Sequence, residues 1–218
     1  MIKESRNNSE KEKIVCFPRE VMSRYPMPLE KFFYNRELWQ AIMANLCYSY
    51  RDDAEKNNEL KQVIAYAAVK AGNSYLAYTR TPKGGESQLH LKRSIGLGGH
   101  INLDDKNYVA LEQSNSCSGM DLILTGVRRE IKEEVEIGAK ELCEPKLLGF
   151  ISDDSNPVGL RHFGVVWLLE IAEPKVLPRD EAISEVSFYD LQELRKKYEE
   201  FETWSQLVIN RIAELRDQ

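Results

Sequence analysis

Apolar residues recur at intervals of four in one segment of the chain: Val127, Ile131 and Val135. At about 100° per residue, this spacing places the three side chains on one face of a helix, which predicts that the helix packs on a core. Glu130, Glu133 and Glu134 fall on a neighbouring face, within a sector of about 100°. The pattern therefore predicts an amphipathic helix that presents three carboxylates side by side.

The three carboxylates of this helix repel one another, because like charges at helical spacings of three and four destabilise a helix. A divalent cation would remove the repulsion, since hard cations such as Mg²⁺ prefer carboxylate oxygens and keep some waters for substrate phosphates. Arg129 precedes Glu133 by four residues and could orient a carboxylate through a charge-assisted hydrogen bond. Solvated charged helix faces show the same pattern, so the helix by itself leaves both interpretations open.

Strand-like runs surround the predicted helix. Residues 62–69 and 75–80 are apolar and β-rich, and the Gly72-Asn73 pair between them predicts a hairpin turn. Three later strands are predicted at 147–151, 162–171 and 181–191. The sequence therefore predicts a sheet against which the acidic helix can dock.

Three helices are predicted from apolar periodicity, at 36–49, 119–137 and 191–215, the last with a break near Glu202. Ser118 stands three residues before Asp121 and would cap the second helix through a Ser-x-x-acid box. Gly138 would end that helix. The acidic helix is thus expected to include Ile137.

Composition and charge narrow the classes of function. Of 218 residues, 42% are hydrophobic and 30% are charged, as in globular proteins. The net charge of −5 argues against an extended nucleic-acid-binding surface, which needs a basic stripe. The four cysteines show no C-x-x-C pairing, which favours a reducing compartment. With a polar N-terminus and no run of about 20 apolar residues, we expect a soluble cytoplasmic protein with no membrane partner.

The segment around the acidic helix resembles the signature of the Nudix hydrolases. That signature is a glycine, five residues, an acidic residue, seven residues and then Arg-Glu-aliphatic-x-Glu-Glu-x-Gly-aliphatic. Eight positions of this chain fall on the pattern: Gly99, Asp121, Arg129, Glu130, Ile131, Glu133, Glu134 and Ile137. The resemblance therefore includes the complete Arg-Glu-aliphatic-x-Glu-Glu core.

Three features depart from the family pattern. Asp121 stands where Glu is usual, and Glu136 replaces the glycine after the Glu-Glu pair. In this alignment the five-residue spacer after Gly99 is enlarged to residues 100–120. We expect this inserted loop to lie at the mouth of the cleft, either as a lid or as a passive surface loop.

The resemblance implies an α/β fold, a Nudix-like α/β/α sandwich with a mixed sheet, here with an N-terminal helical extension. It predicts three parts of the chain: a flexible N-terminus at 1–13, an extension with a helix at 14–58 and the Nudix-like domain at 59–218. The last part includes the C-terminal helix. The extra N-terminal helix could supply a homodimer interface.

The resemblance also implies a set of site residues. Glu130, Glu133 and Glu134 are the expected ligands of Mg²⁺ or Mn²⁺. Catalytic roles are expected for Glu133, Glu134 and Arg129, the last paired with Asp121. The phosphate-binding candidates are Gly98, Gly99 and His162. The general base is expected among four acidic residues outside the signature: Asp153, Asp154, Glu181 and Glu185.

The implied activity is hydrolysis of a pyrophosphate bond in a nucleoside-diphosphate-linked small molecule, with a divalent metal. Three alternatives stay open. The first is a catalytically weak or inactive Nudix domain that senses a nucleotide or binds a partner. The second is an isomerase of isoprenoid diphosphates, and the third is action on the capped or triphosphorylated end of RNA.

Overall fold

The computed structural model describes residues 12–26, 31–83, 91–105 and 119–216. Most of the predicted flexible N-terminus, the capping residue Ser118 and most of the inserted loop lie outside the described residues. Among the described helices, none is long and apolar enough to cross a membrane.

Twelve strands are formed by the described residues. The first six are β1 (Lys13–Pro18), β2 (Phe32–Phe33), β3 (Cys47–Tyr50), β4 (Leu60–Ala71), β5 (Ser74–Arg80) and β6 (Arg93–Ser94). The next six are β7 (Gly96–Leu97), β8 (Val135–Ile137), β9 (Lys146–Ile151), β10 (His162–Ile171), β11 (Val176–Pro178) and β12 (Ile183–Asp190).

Seven α-helices lie in the same part of the chain. They are α1 (Glu20–Ser23), α2 (Arg36–Ala44), α3 (Arg51–Ala54), α4 (Gly119–Glu134), α5 (Pro157–Arg161), α6 (Leu191–Lys196) and α7 (Thr203–Arg216). A 3₁₀ turn, Tyr198–Glu200, and a short extended stretch separate α6 from α7. The predicted break in the last helix is therefore confirmed.

One mixed sheet occupies the centre of the described structure. Its main path runs β12-β5-β4-β10-β9-β2, and β1, β3, β6 and β7 join beside it. Strands β4 and β10 pair in parallel from Gln62 and His162 to Ala71 and Ile171. The other pairs are antiparallel, including the predicted β4–β5 hairpin, whose turn holds Gly72 at φ +58°. The predicted mixed sheet is confirmed.

Helices cover both faces of this sheet. Apolar side chains of α4, including Val127 and Ile131, pack with the inward residues of β4 such as Val63. On the opposite face, Ile209 and Ile212 of α7 belong to a second apolar cluster. The chain is therefore the predicted α/β/α sandwich, and α4 lies on one defined face of the sheet.

The segment predicted as an N-terminal extension contains a helix and also contributes to the sheet. Helix α2 begins after Asn35, whose side chain accepts a hydrogen bond from the Leu38 N–H at 3.0 Å. Strand β1 pairs with both β3 and β4. The predicted helix at 36–49 is too long, since it ends at Ala44 and residues 47–50 form β3. This stretch contains Tyr48 and Tyr50, which favour strands.

The acidic helix also ends earlier than predicted. Helix α4 stops at Glu134, and Val135–Ile137 form β8, which pairs with β11. The Glu134 carbonyl accepts hydrogen bonds from the N–H groups of Arg179 (2.9 Å) and Asp180 (3.2 Å). The expectation that the helix includes Ile137 is thus wrong, because donors from a distant segment satisfy its last carbonyl.

Candidate active site

The three predicted carboxylates of α4 differ in their exposure to solvent. Glu130 and Glu134 are half-buried, whereas Glu133 is exposed. Ile131, between them in sequence, is buried in the core and fixes the rotation of the helix. Glu130 and Glu134 are thereby directed towards the loop that follows β7.

Glycines in that loop allow the carboxylates a close approach. Gly98 has φ +152°, and a Cβ added to it would lie 2.0 Å from the Ala65 carbonyl oxygen. Its N–H donates a hydrogen bond to the Glu134 Oε2 at 2.8 Å. A Cβ added to Gly99 would lie 2.9 Å from the carboxylate of Glu130. The structure therefore brings the predicted Gly98 and Gly99 together with two of the three predicted glutamates.

Arg129 connects the helix to the segment after this loop. Its Nε donates to the Oδ1 of Asp105 at 2.7 Å, and its Nη2 donates to the Oδ2 at 3.1 Å. The Nη2 also donates to the His100 carbonyl at 2.9 Å. The Nη1 donates to Glu130 at 2.8 Å and to Glu133 at 3.3 Å. Arg129 thus fixes the position of the Glu130 carboxylate.

Asp105 is the partner that sequence reasoning missed. The expected partner of Arg129 was Asp121, which lies instead in the first turn of α4. Five residues separate Gly99 from Asp105, which is the ordinary spacer of the family signature. The enlarged spacer is therefore the one between Asp105 and Arg129, where residues 106–128 replace the usual seven, rather than the one directly after Gly99. Counting five residues from Gly99 is the sequence signal that identifies Asp105.

Burial and mutual repulsion act on the two inner carboxylates. Burial raises the pKa of Glu130 to about 7, while the charge of Arg129 opposes the shift. Burial, followed by the charge of Glu130, raises the pKa of Glu134 to about 8. Both raised pKa values show that the site disfavours the charged carboxylates, whereas a cation between the two groups would favour the charged forms. Two buried carboxylates that repel each other are chemically suited to a divalent metal ion, which prefers oxygen ligands.

The side chains of the three glutamates do not converge on one point at which a metal ion could bind. Among the described residues, no group of three Asp, Glu, His or Cys side chains is placed to hold a metal ion. The outer carboxylate, Glu133, is drawn towards Arg129, and Glu134 is held by the Gly98 N–H. Binding of one metal ion by all three glutamates would therefore require the side chain of at least one of them to rotate.

His162, the remaining phosphate-binding candidate, is packed against a second histidine. Its Nδ1 donates to the Val158 carbonyl at 2.7 Å, and its ring centroid lies 5.5 Å from that of His100. Burial lowers the pKa of His162 to about 4. The Nε2 of His100 contacts the Gln62 Oε1 at 2.7 Å. His162 thus contacts His100, the residue after the glycine loop (Gly98 and Gly99), and its lowered pKa favours the neutral ring.

The four general-base candidates are all engaged with other side chains. Asp153 pairs with Lys31 at 2.8 Å, and Asp154 pairs with Arg19 and the buried Lys61. Lys61 also donates to the Gly159 carbonyl at 2.9 Å. These contacts attach the segment after β9 to Lys31 before β2, to Arg19 after β1 and to Lys61 of β4, which is a structural task for both aspartates.

The other two candidates lie near β12. Exposed Glu181 pairs with Lys83 at 2.6 Å, and Glu185 accepts from the Thr79 Oγ1 at 2.7 Å. Two charged residues that sequence reasoning did not single out act on Glu134. Arg80 lowers the pKa of Glu134 and Asp180 raises it. No local sequence pattern marks either residue, because both reach Glu134 only through the fold.

Comparison with known proteins gives three findings. No family model matches the chain. Protein YmaB of Bacillus subtilis (strain 168) is 30% identical over 209 residues, which span 91% of this chain and 96% of that protein. The crystal structure of Tm1382, a candidate Nudix hydrolase, aligns with a TM-score of 0.73 and 23% identity over 94% of this chain and 99% of the other.

A second structure contains a bound nucleotide derivative. The NUDIX domain of Shewanella oneidensis NrtR, complexed with ADP ribose, aligns with a TM-score of 0.51 and 11% identity. The alignment covers 71% of this chain and 87% of that domain. The similarity shows a shared fold.

Proposed function

This chain belongs to the same family as protein YmaB and has the fold of the Nudix hydrolases, and on that basis we propose that it hydrolyses a pyrophosphate bond. The substrate class is a nucleoside-diphosphate-linked small molecule, and the reaction requires Mg²⁺ or Mn²⁺. One observation carries the proposal: Arg129, fixed by Asp105, orients Glu130 beside Glu134 at the glycine loop. In this arrangement the two carboxylates would bind a cation beside the substrate phosphates.

Glu130 and Glu134 would hold the metal, with Glu133 completing the ligand set. When bound, the metal neutralises charge on the pyrophosphate oxygens and lowers the pKa of a bound water. The protein contributes preorganisation, because Arg129 restrains Glu130 at 2.8 Å and the Gly98 N–H restrains Glu134 at 2.8 Å. Because Gly98 and Gly99 lack side chains, their backbone can lie directly against β4 and the Glu130 carboxylate.

The test is a screen of nucleoside-diphosphate compounds with Mg²⁺ or Mn²⁺, scored by released phosphate products. ADP ribose belongs in the panel because it is bound in the NrtR domain. Glu134→Gln should reduce turnover by about 100-fold or more while leaving the melting temperature near that of the wild type. Glu136→Gln is the matched control, because Glu136 is exposed and pairs with Arg179 at 3.2 Å. Full turnover by Glu134→Gln, or by the wild type in EDTA, would refute the proposal.

A second candidate function is nucleotide binding without turnover. It is favoured by the lack, among the described residues, of three metal-ligating side chains around one point. Under this alternative, calorimetry detects ADP ribose binding while the same panel yields no products with either metal. Product formation in the screen would exclude it.

A further inference from the structure

Arg80, the last residue of β5, has unused hydrogen-bonding capacity. Its side chain is 24% exposed, and its Nη2 lies 3.8 Å from the Oε1 of Glu202. The Nε of Arg80 is buried and has no hydrogen-bond partner among the described residues. A partly exposed guanidinium whose ion pair is too long for a hydrogen bond can bind a further acceptor.

Glu202 does not account for these free donors. The Oε1 of Glu202 already accepts hydrogen bonds from three hydroxyl groups, those of Tyr66 (3.2 Å), Ser94 (2.7 Å) and Ser205 (3.3 Å). Arg80 at 3.8 Å contributes an ion pair, but the distance is too long for a hydrogen bond. Glu202 therefore holds the guanidinium in place without satisfying it.

A chain of contacts that begins on β5 links Arg80 to the carboxylate site. The Arg80 guanidinium lies 5.8 Å from the ring centroid of Tyr78. The Tyr78 hydroxyl donates to the Gly96 carbonyl at 2.8 Å. Gly96 lies two residues before Gly98, whose N–H donates a hydrogen bond to Glu134. The charges of Arg80 and Glu134 also shift each other's pKa towards the charged form, as expected for neighbours.

Arg129, the other arginine of the site, is already saturated. Its Nε, Nη1 and Nη2 donate to Asp105, Glu130, Glu133 and the His100 carbonyl. Its role is to orient the glutamates. A substrate phosphate needs a different cationic donor, and Arg80 is available on the Glu134 side.

We propose that Arg80 binds a phosphate group of the substrate on the Glu134 side of the site, opposite Arg129. The planar fork of a guanidinium matches two phosphate oxygens, and the Arg80 side chain is 24% exposed. This inference rests on the proposed function, since it assigns the residue that recognises the diphosphate of that substrate.

A buried, unpaired Nε is not sufficient evidence by itself, as Arg93 shows. The Nε of Arg93 is also without a partner among the described residues. However, Arg93 donates to the Tyr189 hydroxyl at 3.0 Å and lies over the Tyr189 ring, 5.0 Å from its centroid. Arg93 is thus occupied in packing β6 against β12. Arg80 differs because it also adjoins a carboxylate of the candidate active site.

The experiment measures binding of inorganic pyrophosphate to the full chain by calorimetry, with Mg²⁺ and with EDTA. Arg80→Gln should weaken binding by about tenfold or more, and Arg80→Lys by a smaller factor because it keeps the charge but loses the fork. Lys83→Gln is the matched control: it removes one positive charge three residues away, from an exposed side chain paired with Glu181. Its binding should stay within about twofold of the wild type.

Each outcome decides the assignment. Wild-type binding by Arg80→Gln, an equal loss in Lys83→Gln, or no pyrophosphate binding by the wild type would overturn it. If Arg80→Gln does not fold, Arg80→Lys decides, and unchanged binding by this variant overturns the assignment.

The assignment and the proposed hydrolysis can fail separately. A chain that hydrolyses no compound yet loses pyrophosphate binding in Arg80→Gln refutes the activity and supports the role of Arg80. A chain whose turnover and KM are unchanged in Arg80→Gln retains the activity and refutes the role of Arg80.

Discussion

Arg129 and Asp105 form a two-point ion pair, with distances of 2.7 Å from Nε to Oδ1 and 3.1 Å from Nη2 to Oδ2. The Asp105 side chain is fully buried, and its Oδ2 also accepts a hydrogen bond from the Asn102 N–H at 2.8 Å. This pair joins Asp105, which follows the glycine loop, to helix α4, which begins at Gly119. Because the pair fixes both ends of the intervening segment, a longer connection before Gly119 costs little additional entropy.

Asp105→Asn should therefore destabilise the protein. The substitution removes the charge that the largely buried Arg129 contacts at two points, which we expect to lower the free energy of unfolding by about 2–4 kcal/mol. Urea unfolding followed by circular dichroism measures the change. Turnover should fall as well, because Arg129 would no longer hold Glu130.

Asp121→Asn is the matched control for this prediction. Asp121 lies in the first turn of α4 and makes none of the hydrogen bonds that hold Arg129, so Asp121→Asn should cost less unfolding free energy than Asp105→Asn. A larger loss of stability in Asp121→Asn than in Asp105→Asn would show that Asp121 is the more important acidic residue, contrary to the structure.

The acidic helix and its neighbourhood show how far the sequence can predict this structure. The apolar stripe Val127, Ile131 and Val135 predicted the buried face, and all three residues are in the core. The end of the helix was not predictable, because N–H groups at positions 179 and 180 bind the Glu134 carbonyl. Capping by residues so distant in sequence leaves no local pattern.

The candidate site was also predictable only in part. The glycine loop and the glutamates follow a signature and meet in space as expected, with hydrogen bonds such as Gly98 N–H to Glu134. Asp105 was visible in the spacing after Gly99, but an insertion can be placed in either spacer of the signature. Only the contact with Arg129 distinguishes the two alignments. Arg80 had no signal, because its unsatisfied Nε is a consequence of tertiary burial.

Gly98→Ala should be severely destabilising. A Cβ at this position would lie 2.0 Å from the Ala65 carbonyl oxygen, and the φ of +152° is unfavourable for alanine. We expect a loss of more than about 3 kcal/mol of unfolding free energy, because backbone strain and a clash with β4 add together. Thermal and urea unfolding provide the measurement.

Gly138→Ala serves as the comparison. A Cβ there would lie 3.6 Å from the Lys175 Cβ, which is an ordinary contact, and the residue is exposed. Its unfolding free energy should change by less than about 1 kcal/mol. Equal effects of the two substitutions would mean that the loop can move away from β4.

His162 should make the protein less stable in acid. Burial lowers the pKa of its ring to about 4 in the folded state, whereas the unfolded chain has a pKa near the ordinary 6.5. As the pH falls from 6.5 to 4, the unfolded state takes up a proton that the folded state does not. The free energy of unfolding therefore falls by up to about 1.4 kcal/mol per pH unit from this group.

His162→Asn tests this contribution, because its amide can replace the Nδ1 donor to the Val158 carbonyl. Relative to the wild type, the variant should lose less stability between about pH 6.5 and pH 4. Between about pH 7 and pH 8 the difference in unfolding free energy between the two proteins should be nearly constant. In that range His162 takes up almost no proton in either the folded or the unfolded state. Parallel pH profiles throughout would show that the His162 ring has the same pKa in the folded and unfolded states.

Glu136→Gly restores the residue that the family signature has after the Glu-Glu pair, and it should leave turnover nearly unchanged. Glu136 lies on strand β8, beyond the end of the acidic helix, and its half-exposed side chain pairs with Arg179 at 3.2 Å. Glycine in a strand should cost about 0.5–1 kcal/mol of unfolding free energy. Turnover on any substrate found in the screen should stay within about twofold of the wild type, since loss of an exposed pair changes little. A gain of tenfold or more would instead show that this departure from the signature limits catalysis, and that the strand at 135–137 must give way to a turn for full activity.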